Sequence, residues 1–424
     1  MNYSLNKLSN GLRVMTIPMP SLESATVTVW VKTGSRLEEK RINGISHFLE
    51  HMVFKGSKKR PSAKAISEVV DSIGGEFNAA TSKDWTYFYI KARVGNIETA
   101  FDVLSDMVIN PLLSSEEIER EKGTIVQEIA MYEDNPMSKI NDVFENLVFD
   151  GNPLGWDIVG AEKTVRAIGR EDFMSYRGVH YHADNMLVTV AGGVTAKEAV
   201  SLAEKYLSGV EPGRDAVNAT PFKVGQKNPQ VLLKTKKAEQ AHLILGFMTE
   251  GRGHKNRFAQ SVLKTIFGPG MSSRLFIEVR ERRGLAYAIQ PMLERYDEVG
   301  YFGTYGGIDL SKIDEAIKVM LDQFYGLASG KYPIKESELK KAKEFIKGHF
   351  ALSLEDTNAV NGFFGEQELF LRKVLTPEES FKKIDAVTIP EVMAEAKKLF
   401  VPGKLNLAVI GPYKDKEKFV KLLK

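Results

Sequence analysis

Residues 167–194, AIGREDFMSYRGVHYHADNMLVTVAGGV, have a pattern that the chain repeats near its C-terminus. The stretch begins as an amphipathic helix, passes through a short turn and ends in an apolar strand that finishes in glycine. The same succession occupies residues 386–412, AVTIPEVMAEAKKLFVPGKLNLAVIGP. A helix, a turn and a strand that recur in this order indicate two related domains in one chain.

Two further pairs of segments extend the repeat toward the N-terminal side of each copy. Residues 25–34, ATVTVWVKTG, and residues 241–251, AHLILGFMTEG, are both strand-like. The helix that follows the first of them, ISHFLEHMVFKG at residues 45–56, corresponds to FAQSVLKTIFGPG at residues 258–270. The first helix has two histidines and a glutamate, whereas the second has neither residue type. We therefore expect a duplicated domain in which only the first copy kept a site.

The boundary between the copies lies in residues 208–230, SGVEPGRDAVNATPFKVGQKNPQ, which are rich in glycine, proline and polar residues and lack periodicity. This segment predicts a first domain at 1–212, a linker at 213–228 and a second domain at 229–424. Within each half, strands such as residues 85–94 alternate with amphipathic helices. The alternation predicts an α+β fold in which helices cover a sheet, and it leaves the strand order open.

The composition indicates a globular protein with sizeable cores. The chain has 424 residues, of which 43% are hydrophobic and 27% charged, and its net charge is only +3. The charge balance gives no reason to expect nucleic acid or a membrane surface as a partner, and no apolar run approaches the roughly 20 residues that span a bilayer. The absence of cysteine excludes disulfides and thiolate metal sites. Because the N-terminus lacks the pattern of a signal peptide, we expect a cytoplasmic protein.

The stretch ISHFLEHMVFKG predicts a helix with one apolar and one polar side. On a helical wheel, the polar side holds His47, Glu50 and His51. The two histidines are four residues apart, so their rings project side by side from adjacent turns, with Glu50 next to them. Two imidazoles in this arrangement can chelate a metal ion. The alternative is an ordinary amphipathic helix that happens to carry histidines.

A catalytic zinc ion usually has three protein ligands and an open position, so a third ligand must come from another segment. Residues 114–136, SSEEIEREKGTIVQEIAMYEDNP, predict a helix with an N-terminal capping box. Its apolar stripe includes Glu121 and Glu128, and a buried carboxylate is costly unless a cation compensates it. A single glutamate on so charged a helix would be an ordinary surface residue. Two on the apolar stripe favour a functional role.

The sequence HFLEH has the form HxxEH, which is the inverse of the HExxH of common zinc proteases and is typical of inverzincins. With the distant glutamates and the related halves, it makes the whole chain resemble the pitrilysin-like M16 zinc metallopeptidases. The resemblance is to the M16B type, which includes the mitochondrial processing peptidase and small bacterial peptidases. It implies that His47, His51 and Glu128 bind one Zn²⁺ per chain. Glu50 would be the general base, and Glu121 a carboxylate that orients the site.

Residues 74–89, GGEFNAATSKDWTYFY, resemble the substrate-binding edge strand of this family. The resemblance implies that Asn78, Ala79 and Ala80 pair with the backbone of a peptide substrate. Unpaired N–H and C=O groups at a sheet edge bind an extended chain with little regard to its side chains. The alternative is an ordinary hairpin with its turn at TSKD.

Residues 268–289, GPGMSSRLFIEVRERRGLAYAI, resemble the glycine-rich loop of the family, which is followed by an arginine and a tyrosine. The matching residues are Arg280 and Tyr287, which the resemblance places near the substrate and the metal. The alternatives are a solvated arginine in a basic run and a tyrosine that belongs to the core.

The resemblance also implies a fold and a function. Each domain would have a mainly antiparallel sheet covered by helices, as in the mitochondrial processing peptidase/LuxS-like metallohydrolase fold, and the chain would be half of a clamshell. Two such chains, as a homodimer or as a heterodimer with a degenerate homologue, would enclose a chamber in which a zinc endopeptidase cleaves unfolded peptides or flexible segments. The alternatives are a non-proteolytic, core-type structural subunit of the same superfamily and a metal-stabilised binding module with a closed four-ligand site.

Overall fold

A computed structural model describes residues 1–213 and 217–423. Residues 214–216 of the predicted linker, and residue 424 at the end of the predicted second domain, lie outside the described residues. The chain forms two compact units, each made of three chain segments. The first unit consists of Met1–Ala130, Trp156–Thr220 and Ala351–Glu378, and the second unit of Met131–Gly155, Pro221–Phe350 and Glu379–Lys424.

The strands of the described chain form two sheets, one in each unit. In chain order the strands are β1 Ser4–Lys7, β2 Arg13–Pro18, β3 Ser24–Val31, β4 Glu76–Thr81, β5 Thr86–Arg93, β6 Met186–Gly192, β7 Gln230–Thr235, β8 Gln240–Glu250, β9 Ala286–Arg295, β10 Val299–Asp309 and β11 Leu405–Gly411.

The helices cover these sheets, and short 3₁₀ turns connect several of the elements. In chain order the α-helices are α1 Ile45–Val53, α2 Ala63–Ser72, α3 Ile97–Ile109, α4 Ser115–Asp134, α5 Pro136–Val148, α6 Glu162–Ala167, α7 Arg170–His180, α8 Ala196–Leu207, α9 Arg257–Phe267, α10 Ile313–Ser329, α11 Glu336–Ser353, α12 Thr357–Phe370, α13 Pro377–Asp385, α14 Ile389–Leu399 and α15 Lys416–Leu422.

The two sheets are similar in topology. The strand order is β1-β2-β6-β3-β5-β4 in the first sheet and β7-β11-β8-β10-β9 in the second. Each sheet has one parallel pair, β2 with β6 and β7 with β11, and its other pairs are antiparallel. The repeat found in the sequence is visible here, because α7 leads into β6 in the first unit and α14 leads into β11 in the second. The predicted α+β fold is confirmed, with sheets that are mixed rather than purely antiparallel.

The central strand β3 of the first sheet is buried on both faces, because its successive side chains point to opposite faces of the sheet and nearly all of them are buried. Val27 and Val29 face a core that is shared with helices α1, α3, α7 and α8. Thr26 and Thr28 face α12, whose Asn361 side chain donates to the Thr26 carbonyl and to the Thr28 hydroxyl at 2.8 and 3.0 Å. The sheet of the first unit is therefore covered by helices on both sides.

The second unit repeats this arrangement. On one face of its sheet, Phe267, Phe324 and Phe400 of the helical layer pack against Phe247 of β8 and Phe302 of β10. On the other face lies helix α5, which contributes apolar side chains to a core with strands β8, β10 and β11. Both faces of this sheet are therefore buried as well.

Helices α5 and α12 each belong to the unit that is built mainly from the other half of the chain. Helix α5 comes from the first half of the chain and covers the sheet of the second unit, whereas α12 comes from the second half and covers the sheet of the first unit. The predicted domains are contiguous segments, whereas the first unit lacks Met131–Gly155 and includes Ala351–Glu378, and the second unit has the reverse. The physical reason is that an amphipathic pattern shows that a helix is covered, but not which sheet covers it.

No helix of the described chain is long and apolar enough to cross a bilayer.

Candidate metal centre

The N-terminus of helix α1 is fixed by a buried carboxylate. Glu38 accepts hydrogen bonds from the backbone N–H groups of Gly44 and Ser46, both at 2.8 Å, and from the side chain of Asn43 at 2.9 Å. These contacts satisfy N–H groups that a helix leaves free at its first turn, and the negative charge suits the positive end of the helix dipole. Gly44 has a φ of 101°, which favours glycine at this position.

The predicted apolar side of α1 is buried, since Ile45, Phe48, Leu49, Met52 and Val53 are at most 1% exposed. The burial of this side directs the opposite side, with the two histidines and Glu50, toward helix α4 and strand β4. The predicted division of α1 into an apolar and a polar side is therefore confirmed.

Helix α4 begins at the predicted cap, where the Ser114 hydroxyl accepts from the Glu117 N–H at 3.3 Å. Its stripe is buried at Ile118, Glu121 and Ile125. This orientation brings Glu128, two turns after Glu121, to the histidines of α1.

His47, His51 and Glu128 form a compact group of ligand atoms. The two histidine Nε2 atoms are 3.2 Å apart, and the Glu128 carboxylate oxygens lie 3.6 Å from His47 Nε2 and 3.5 Å from His51 Nε2. In a tetrahedral zinc site with bonds of about 2.0–2.2 Å, neighbouring ligand atoms are separated by about 3.3–3.6 Å. The two imidazole nitrogens, and the carboxylate oxygen of Glu128 that is nearer to each of them, are separated by about these distances, so the three side chains suit a zinc ion. Within the described residues, no other group of three such side chains meets at this distance.

Burial sets the protonation state of His47. The residue is 8% exposed, and its burial, together with the nearby His51, lowers its pKa to about 3. A histidine with so low a pKa is neutral at pH 7, which is the form that binds a metal ion.

A chain of contacts orients His51. Its Nδ1 lies 2.9 Å from Glu121 Oε1, and the second oxygen of this carboxylate forms an ion pair with Lys55. Burial alone would raise the pKa of Glu121, but the hydrogen bonds from His51 and Lys55 bring it below its ordinary value. The carboxylate therefore accepts the Nδ1 proton, which leaves the Nε2 lone pair of His51 for a metal ion. The sequence analysis assigned no role to Lys55, and the only signal for one is its position one helical turn after His51.

Glu50 lies on the same helix and contacts strand β4. Its Oε2 atom accepts a hydrogen bond from the Thr81 hydroxyl at 2.6 Å. Burial raises the pKa of Glu50, and the hydrogen bond from Thr81 opposes part of this shift. The sequence reasoning missed Thr81. The signal that could have found it is the alternation along the strand, which places Thr81 on the same face as Ala79 and Phe77.

Strand β4 is both an edge strand and part of a hairpin, so the two readings of its sequence are compatible. Within the described part of the chain it pairs only with β5, and the Ser82 N–H donates to the Trp85 carbonyl at the turn. Alternation along an antiparallel ladder then directs the backbone groups of Thr81 and Ala79 to the free edge, and those of Ala80 toward β5. In agreement, the Ala79 N–H donates to the Asn78 side chain rather than to the ladder.

The second unit brings Arg280 and Tyr287 together. Arg280 lies in a π-helical turn, Phe276–Glu281, and its guanidinium is 4.9 Å from the Phe276 ring and 5.5 Å from the Tyr287 ring. Tyr287 is 75% exposed, so it is not a core residue. Helix α9 follows β8, a central strand of the second sheet, as α1 follows β3 of the first sheet. Unlike α1, helix α9 contains no histidine or glutamate.

Comparison with known proteins agrees with this asymmetry between the halves. Residues 13–162 match the family described as Insulinase (Peptidase family M16), and residues 167–346 match the Peptidase M16 inactive domain. An uncharacterized zinc protease of Streptomyces coelicolor is 35% identical over 97% of this chain and 90% of its own. Another, YmxG of Bacillus subtilis, is 34% identical over 95% of this chain and 97% of its own.

Solved structures show the same fold at low sequence identity. A protease from Helicobacter pylori has a TM-score of 0.90 at 22% identity, and the match covers 97% of this chain and all of that one. A chain of Complex III2 from Candida albicans has a TM-score of 0.85 at 19% identity, covering 99% of both. The identity and coverage of the curated relatives, with the two matched regions, show that the chain belongs to peptidase family M16.

Proposed function

We propose that this protein is a zinc metalloendopeptidase that hydrolyses peptide bonds in unfolded peptides or flexible segments. The observation that supports the proposal best is the close approach, at 3.2–3.6 Å, of the ligand atoms of His47, His51 and Glu128, with Glu50 on the same helix as the two histidines. A zinc ion held by these three side chains would polarise the scissile carbonyl and activate water for attack.

In this proposal Glu50 is the general base. It takes a proton from the attacking water and passes that proton to the nitrogen of the leaving amine, so no covalent acyl-enzyme forms. The hydroxyl of Thr81 contacts Oε2 of the carboxylate, and we assign the proton transfer to the other oxygen. Glu121 positions the ring of His51 through its Nδ1 atom.

The proposed substrate is extended because it docks on strand β4. The free edge of this strand, at Ala79 and Thr81, offers main-chain groups that pair with any extended peptide, whereas the main-chain groups of the other two residues expected to bind substrate, Asn78 and Ala80, face β5. A tightly folded domain has no free strand to donate. Recognition by main-chain groups therefore favours unfolded peptides over folded proteins and places little restriction on the side chains of the substrate.

We further propose that the protein acts as a homodimer. In the family that the chain resembles, four related domains enclose a chamber, and this chain has two. Arg280 and Tyr287 of one copy would then contact the substrate bound at the metal centre of the other. A heterodimer with a degenerate homologue would satisfy the same requirement. Cleavage inside a chamber adds a second reason for preferring small or flexible substrates.

A second candidate function is that of a non-proteolytic structural subunit, because a chain of Complex III2 from Candida albicans has the same fold. The residues of the metal centre favour the peptidase. A structural subunit has no need of three metal ligands and an adjacent carboxylate, whereas this chain brings His47, His51 and Glu128 together and has Glu50 on the same helix as the two histidines.

The substitution Glu50→Gln tests the proposed function. Glutamine has almost the same shape as glutamate but cannot accept the proton of water, so we expect the variant to bind zinc and fold normally and to lose at least about 100-fold in turnover. The measurement is hydrolysis of a fluorogenic peptide by the zinc-loaded protein, with Glu119→Gln as a control on the exposed side of α4. Equal turnover by Glu50→Gln and the wild type would exclude Glu50 as the base, and zinc-bound wild type without activity would favour the structural subunit.

A further inference from the structure

We propose that Thr81 is a positioning residue that holds the carboxylate of Glu50 in one orientation for catalysis. The proposal rests on the proposed peptidase function, since it concerns the general base of that reaction. Neither the sequence nor the comparison with relatives assigns a role to Thr81.

The contact between Thr81 and Glu50 is short and lies between two rigid elements. The Thr81 hydroxyl is 2.6 Å from Glu50 Oε2, a distance typical of a hydroxyl that donates to a charged carboxylate. Thr81 is the last residue of β4, and its β-branched side chain has few rotamers. Glu50 lies on a helix whose opposite side is fully buried. The hydrogen bond therefore joins side chains whose backbones belong to a helix and a strand.

A second contact fixes α1 against β4 independently of Thr81. The ring of Phe54, directly after the helix, is 5.5 Å from the ring of Phe77 on the strand. Phe54 lies one helical turn after Glu50, and Phe77 lies on the same face of the strand as Thr81. Because this aromatic pair maintains the approach of the two elements, removal of the Thr81 hydroxyl should release the Glu50 carboxylate without separating α1 from β4.

The carboxylate of a glutamate needs such a restraint. Rotation about its last side-chain bond has a broad energy minimum, so an unrestrained carboxylate samples many orientations. A general base must place an oxygen within about 2.6–3.2 Å of the water oxygen whose proton it accepts. The Thr81 hydroxyl holds Oε2 and thereby fixes the plane of the carboxylate and the direction of Oε1.

Thr81 also lies where the peptide is proposed to dock. The ladder between β4 and β5 directs its N–H and C=O groups to the free edge, while its side chain points to Glu50. One residue thus contacts both the docked peptide, through its backbone, and the base, through its hydroxyl. Substitution of the side chain leaves the backbone contacts in place, so the expected effect is on kcat rather than on KM.

Two substitutions separate the hydroxyl from the shape of the residue. Thr81→Val keeps the branched shape and removes the donor, and we expect kcat to fall about 10- to 100-fold with KM and zinc content almost unchanged. Thr81→Ser keeps the donor, and we expect it to retain kcat within about threefold of the wild type. The measurement is peptide hydrolysis by the zinc-loaded variants. A Thr81→Val enzyme with normal kcat, or a Thr81→Ser enzyme as impaired as Thr81→Val, would overturn the proposal.

Crystal structures of the same zinc-loaded proteins test the proposal without turnover. We expect one orientation of the Glu50 carboxylate in the wild type and in Thr81→Ser, and several orientations in Thr81→Val. A single, unchanged orientation in Thr81→Val would refute the positioning role, whatever the activity of the protein. The proposed peptidase function fails instead if the zinc-loaded wild type does not cleave peptides, so the two failures are distinguishable.

Discussion

Glu121 Oε1 lies 2.9 Å from His51 Nδ1, and the same carboxylate pairs with Lys55 through its other oxygen. The contact fixes the ring of His51 so that its Nε2 atom faces Glu128. A carboxylate that accepts the distal proton of a ligating histidine also makes the ring a stronger donor to a metal ion. The affinity of the centre for zinc should therefore depend on Glu121, although this residue is not one of the three proposed ligands.

Replacement of Glu121 by glutamine should weaken zinc binding by about 10- to 100-fold, because the amide retains a contact to His51 but loses the negative charge. Replacement of the proposed ligand Glu128 by alanine should remove bound zinc after dialysis. We expect one zinc ion per wild-type chain. The measurement is metal analysis after competition with a chelator, with Glu119→Gln as the control on the exposed side of the same helix. Full retention of zinc by Glu128→Ala would exclude Glu128 as a ligand.

The free edge of β4 can be tested with proline, which removes one backbone N–H. The ladder directs the Ala79 N–H to the free edge and the Ala80 N–H toward Tyr87 of β5. Proline is tolerated on an edge strand where its nitrogen faces outward. We therefore expect Ala79→Pro, which loses only the exposed hydrogen bond to the Asn78 side chain, to stay close to the wild type in thermal stability. We expect KM for peptides to rise about fivefold or more, since the variant cannot donate this N–H to the substrate.

Ala80→Pro is the matched control, because it removes a hydrogen bond inside the sheet. We expect this variant to unfold at a clearly lower temperature than Ala79→Pro. Thermal unfolding and peptide kinetics of both variants are the measurements. Unchanged KM in a well-folded Ala79→Pro protein would show that the substrate does not pair with this edge.

Periodicity in the sequence was sufficient to predict the local structure around the metal centre. Helix α1 has its apolar residues on one side because the core covers that side, and the same period placed Ile118, Glu121 and Ile125 of α4 on one buried stripe. Both predictions depend only on neighbours within a helix. The meeting of Glu128 with the histidines could not be predicted in this way, because residues in different helices have no periodic relation. It was implied instead by the resemblance to a known family.

The remaining features depend on contacts that no local pattern encodes. Helices α5 and α12 have ordinary amphipathic patterns, yet each covers the sheet of the unit that is built mainly from the other half of the chain. The role of Thr81 follows from the pairing of β4 with β5 and from the packing of α1 on this edge. The sequence indicated the edge strand and, through alternation, the face on which Thr81 lies, but not that this face meets α1, so the contact with Glu50 was missed.

Stability should fall in acid because of His180, which is buried in the first unit. Burial, together with the neighbouring His182, lowers the pKa of His180 from an ordinary 6.5 to about 4. Between these values the unfolded chain binds a proton at His180 and the folded protein does not, so the free energy of unfolding decreases as the pH falls through this window. The expected loss is at most about 3 kcal/mol, and it is complete near pH 4.

The variant His180→Phe keeps a ring next to Tyr176 but cannot bind a proton. Its free energy of unfolding should therefore depend less steeply on pH between 6.5 and 4 than that of the wild type, as measured by urea unfolding of both proteins without zinc. Parallel pH profiles for the two proteins would contradict a neutral, buried His180.

The proposed dimer predicts that damaged chains can restore each other. In a two-fold dimer with composite sites, the metal centre of one chain faces Arg280 and Tyr287 of its partner. Glu50→Gln and Arg280→Ala are each expected to be nearly inactive, because every site in either homodimer has a defect. After subunit exchange at equal concentration, half of the dimers are mixed, and each mixed dimer has one intact site and one doubly damaged site. The mixture should therefore recover about a quarter of wild-type activity in a peptide assay. If each chain instead completes its own site, every site in the mixture has one defect and no activity returns. Absence of recovery, with exchange verified by mass spectrometry, would exclude the composite arrangement.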